Sequence, residues 1–126
     1  MAETSELPRR VDVIERGYEY LLAYAAQGRQ TDAGSETRQV LTNMFAALDG
    51  LGELIASSVA AGSGDRAADA AAFIEAVHED ARKARGAIGF VLSRPTISSL
   101  LVDNLNASIH LRALLTDVFL VEQALK

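Results

Sequence analysis

Three observations predict an all-α fold: only two prolines in the chain, abundant Ala and Leu, and apolar residues recurring every three or four positions over long stretches. The expected architecture is an antiparallel, up-down-up-down four-helix bundle with a highly apolar C-terminal helix, because the connections between segments are short. Residues 1–7 read as a polar tail and residues 8–126 as one bundle domain, a length sufficient for a single core.

Pro8 opens the first helix, where a missing N–H costs nothing, with Ser5 or Glu6 as caps. Val11, Ile14, Tyr18, Leu21 and Ala25 form its seam, and Gly28 stops it. Tyr20 and Tyr24 read as boundary residues. Arg29 to Ser35 is a connection rich in capping residues.

The second helix begins near Glu36, with Leu41, Met44, Leu48, Leu51 and Ile55 on its seam. Asp49-Gly50-Leu51-Gly52 interrupts it chemically, since each interior Gly costs ~1 kcal/mol relative to Ala. The apolar period continues through the glycines, so one bent helix is expected. Residues 61–65 form the clearest loop, with Asp65 capping a third helix. Its seam is Ala67, Ala70, Ile74, Val77, Ala81, Ala84, Ile88 and Val91. Pro95 forces a corner, and Thr96 or Ser98 opens the fourth helix.

Composition excludes several function classes. Without cysteine there are no disulfides and no thiolate chemistry. Seventeen acidic against twelve basic residues give a net charge of −5, which argues against a nucleic-acid partner, because phosphate binding needs clustered Lys and Arg. The apolar runs are broken by Asp103, Arg112 and Asp117, so no membrane span is expected, and the acidic N-terminus is unlike an export signal. A cytoplasmic location is the expectation, and no cofactor is called for.

His78 and His110 carry the candidate chemistry. Glu75 and His78 have the Glu-x-x-His spacing of carboxylate di-iron bundles, which places both side chains on one helix face. They lie beside the seam, and a second such pair is missing because Ala107 precedes His110 by three, so a metal-binding or redox bundle is the alternative reading. His78-Glu79, or His110 beside Asp103, Asn106, Asp117 and Arg112, would suit a phosphotransfer bundle. A cavity beside Ala81 and Ala84 would suit a small-ligand sensor. The Gly62-Ser63-Gly64 segment lacks the preceding strand of a phosphate loop.

The surplus apolar surface of residues 97–126 is the strongest functional signal. One seam holds Leu100, Asn104, Ala107, Leu111, Leu114, Val118, Val121 and Leu125. Asn104 on it would set register or oligomeric state, or else reach solvent. Val102, Leu105, Ile109, Phe119 and Leu120 lie off the seam and define a candidate partner-binding surface. Burying a Leu, Ile or Phe contributes about 1.5–3 kcal/mol, so covering several of them would drive association before entropy losses. The expected function is a non-enzymatic interaction module, whether homodimer, adaptor or chaperone for a helical client. The bland rival is a central helix wrapped by the other three.

Overall fold

A computed structural model describes the backbone of residues 2–125 and the side chains of residues 6–64, 66 and 68–125. The expected caps Ser5 and Asp65 and the seam position Ala67 have side chains outside the described residues. Among the described residues the chain is all-helical, but with six α-helices where four were expected. They are α1 (Ala2–Ala25), α2 (Thr37–Leu48), α3 (Leu51–Ser63), α4 (Ala71–Leu92), α5 (Ser99–Ala107) and α6 (His110–Ala124), with a 3-10 helix at Gly64–Ala70 between α3 and α4.

Helix α1 packs on α2 and α3 to one side and on α5 and α6 to the other. Helix α4 contacts the same four from across the core, so α1 and α4 are diagonal. Their seams hold one continuous core that includes Ile14, Leu21, Leu41, Met44, Ile55, Val77, Ile88 and Leu114.

The extra helices come from two breaks. Gly50 takes a left-handed conformation (φ 71°), and α2 and α3 meet there at 46°. Arg10 of α1 donates to the Asp49 carbonyl freed by the break. The expected single bent helix is therefore two. Its seam survives the break: Leu41, Met44, Leu48, Leu51 and Ile55 are all buried.

The second break lies at Ile109, which adopts φ 61° and separates α5 from α6. Ser108 ends α5 by donating its N–H to the Asn104 carbonyl at 3.1 Å. The turn rotates the buried face. In α5 it holds Ser99, Val102 and Leu105; in α6 it holds Leu111, Leu114, Leu115, Val118 and Val121. Leu100 and Asn104, expected on the seam, are exposed. Asn104 therefore lies outside this core and faces solvent in the single chain.

Smaller differences follow from local chemistry. Helix α1 already includes residues of the expected tail, and Pro8 lies inside it on an exposed face. The expected loop at 61–65 is helical through Ser63 and continues as the 3-10 helix, so α4 starts at Ala71. Among the described residues no single helix is long and apolar enough to cross a membrane.

A polar latch closes one end of the core. Tyr24 is fully buried, not a boundary residue, and its hydroxyl donates to the Ile97 carbonyl at 2.6 Å. The Ser99 hydroxyl donates to the Tyr24 carbonyl at 2.7 Å and accepts from the Arg29 N–H at 2.9 Å. Asp32 accepts from the Ile97 N–H at 2.8 Å and from Arg38 at 3.2 Å. Arg38 also donates to the carbonyls of Leu92 and Arg94, covering the end of α4. Burial pushes the Asp32 carboxyl up, but these donors more than offset it and hold it below the usual range. Ser98 caps α5 by accepting the Leu101 N–H at 3.0 Å, as the corner at Pro95 predicts.

Candidate interaction surface

The outward side of α6 carries adjacent large apolar residues, Phe119 (44 % exposed) and Leu120 (55 %), with Ile109 (51 %) just before the helix. Their neighbours explain why they remain outside. Val118 and Val121 already fill the core-facing positions of that turn, and a helix cannot bury residues 118–121 all round against one core. Val102 and Leu105 belong to the core instead, so the five-residue surface expected from sequence contracts to Ile109, Phe119 and Leu120. The rotation at Ile109 is the cause: it turns Val102 and Leu105 inward, where an uninterrupted helix would leave them opposite the α6 seam.

Phe119 and Leu120, about 100° apart around α6, open into different hollows. Phe119 opens into a groove of about 190 Å³ between α1 and α6, lined by Glu15, Tyr18, Glu19, Arg112, Leu115 and Thr116. Tyr18, expected in the core, is half-buried at this groove. Leu120 opens into a larger, mostly apolar cleft of about 480 Å³ toward Val59, Ala70 and Phe73. Leu125 joins that cleft to a third hollow against Leu7, Val11 and Ile55, and Gly62 supplies the space for its side chain.

The α1 side of the α1/α6 groove is acidic, with Arg112 of α6 as its cationic end. Burial first, and then the charges of Glu122, Asp12 and Glu19, hold the Glu15 carboxyl above the ordinary Glu range. Asp12 has an i,i+4 partner in Arg16 at 2.9 Å, an exposed pair of little energetic weight.

Beneath α6, the carboxyls of Asp80 on α4 and Asp117 face each other. Burial first, then a hydrogen bond to Asp80 and the Asp80 charge, push the Asp117 carboxyl up to about 7. The buried Oδ2 of Asp117 finds no donor among the described residues, which is the setting that favours the protonated carboxyl. No pattern of apolar spacing signals such a pair, because the two residues lie 37 positions apart by number (117 − 80).

The histidines lie elsewhere. The Nδ1 of His78 is 3.5 Å from Glu53 of α3, while Glu75 points to solvent. The imidazole rests on Gly52, where an added Cβ would collide with it. This contact lines a cleft of about 310 Å³ beside Ala81, rimmed by Glu53, Glu79, Arg82 and Arg85. Arg82 is paired with Glu79 at 2.6 Å, and Arg85 lies 3.8 Å over the Phe45 ring. Ala84, the other side of the expected ligand cavity, is closed into the core. His110 is half-buried at the first turn of α6. Among the described residues, no three His, Asp or Glu side chains converge as they would around a metal ion. No family model, curated protein or solved structure matches the chain.

Proposed function

We propose that the protein is a non-enzymatic interaction module whose docking surface is the outward side of α6. The observation that supports this reading is the adjacent exposure of Phe119 and Leu120, each at the mouth of a groove. Large apolar side chains at the edge of concave, partly apolar surface are what protein interfaces use as anchors. A homodimer, an adaptor and a chaperone for a helical client all use such a surface.

The test is site-specific photo-cross-linking in cells of the native source, with a photoreactive residue at position 119 or 120 and, as controls, at Gln39 or Lys83. A discrete adduct from 119 and 120 that the controls do not form is expected, and its mass separates self-association from a different partner. Equal labelling at all four positions would remove the basis for this reading.

A further inference from the structure

We infer that the α1/α6 groove docks a basic amphipathic helix of another protein. This rests on the interaction reading above and adds to it the chemistry of the occupant. Phe119, Leu115 and Tyr18 supply an apolar floor between two helices, the setting in which a third helix packs its own apolar stripe. The walls are acidic. Glu15 and Glu19, four residues apart on one face of α1, line the groove, and Asp12, paired with Arg16, continues that face beyond it. Glu122 lies on the α6 side, close enough to Glu15 for their charges to repel.

Glu15, Glu19 and Glu122 have no ion-pair partner among the described residues, and Lys or Arg flanking the partner's apolar stripe supplies one. The same charges oppose a second copy here, because a symmetric pairing would set this acidic face against itself in a chain of net charge −5. The distance from Arg112 to Glu122 corresponds to about 15 Å of helix, or roughly three turns of a docked segment. Arg112 at one end disfavours cationic residues there and gives the partner a direction, with its basic positions toward Glu15 and Glu122.

The probe is a fluorescein-labelled, helix-forming peptide of about 14 residues, with Leu at helical spacing and Lys on the flanks, read by fluorescence anisotropy. Its counterpart carries Glu at every Lys position. The Lys peptide is expected to bind at least about tenfold more tightly at low salt, with the difference shrinking as salt rises. The double variant E15Q/E122Q, which relieves repulsion and so keeps its fold, is expected to lose most of that preference. E36Q/E75Q changes the net charge equally at exposed sites elsewhere and is expected to keep it.

Equal binding of both peptides, or equal effects of the two double variants, overturns the basic occupant. So does a doubling of mass in solution that Phe119→Ser abolishes, which installs a second copy in the groove. In each case cross-linking from position 119 or 120 still reports on the broader reading, so the two failures are told apart.

Discussion

The hydroxyl of Tyr24 donates to the Ile97 carbonyl at 2.6 Å, joining the end of α1 to the turn before α5. Both groups are buried, so removing the donor leaves a carbonyl without water to replace it. Tyr24→Phe is expected to cost about 1–3 kcal/mol. Urea denaturation should show a lower midpoint at unchanged slope. An unchanged midpoint would mean that the latch contributes nothing to stability.

Asp117 gives a pH dependence of definite sign. Its folded-state value of about 7 lies above the ordinary 3.8, so the folded chain holds this proton more tightly than the unfolded chain does. The stability this provides is complete below about pH 4, declines between about 4 and 7, and is gone above that. Glu15, also raised, acts in the same direction. Asp32 and Glu6 are lowered, Glu6 by its bonds to Arg10 and Arg9, and they act oppositely: their contribution is lost as pH falls below about 4. Thermal stability should therefore peak near pH 4–5, to order of magnitude, and fall toward pH 8. Asp117→Asn should raise Tm at pH 8 by roughly 2–6 °C and flatten that fall. An unaltered pH profile in the variant would refute the raised Asp117 carboxyl.

Gly52→Ala reverses the usual helix rule. Ala is the better helix former by about 1 kcal/mol, yet its Cβ would strike the His78 ring. The variant is expected to lose about 1–3 kcal/mol, and His78→Ala in the same chain should restore most of it. Calorimetry of the double-mutant cycle measures this coupling, and additive effects would show that the ring simply moves aside.

Ile109 is a β-branched residue in a left-handed conformation, which is strained. Ile109→Gly should stabilise the fold by about 1 kcal/mol through relief of that strain, seen as a higher urea midpoint. If Ile109 also contacts the α6 partner, the same variant binds more weakly, so stability and binding move in opposite directions.

The sequence was most legible where apolar spacing runs without interruption. The α4 positions Val77, Ala81, Ala84, Ile88 and Val91 are all buried as expected, and so is the α2/α3 seam. In α1 the true seam passes through Gly17 and Tyr24, where Tyr18 and Ala25 were expected. Gly17 has no side chain to register in an apolar pattern, yet the Met44 side chain packs against it. The break at Ile109 was illegible because Gly and Asn, the residues that favour positive φ, do not occupy it. Two single-faced helices out of phase then read as one helix apolar all round. Of the candidate surface, Ile109, Phe119 and Leu120 were legible as surplus apolar residues. The acidic wall was not, because Glu15 and Glu122 come together only through the packing of α1 against α6.

The latch around Tyr24, Asp32, Ile97 and Ser99 also orders the folding reaction. Its bonds join residues 65 to 75 positions apart, so each must wait for a long loop to close. The α2/α3 turn, by contrast, links helices that are neighbours along the chain. At the Tyr24 end the bonds to Thr31 and between Tyr20 and Thr37 are local, and those to Ile97 and Ser99 require α5 and the turn before it. Loop-closure entropy therefore predicts that the latch amides gain hydrogen-exchange protection after those of the Gly50 turn, which makes the Tyr24 end the expected last commitment of the chain to its native state.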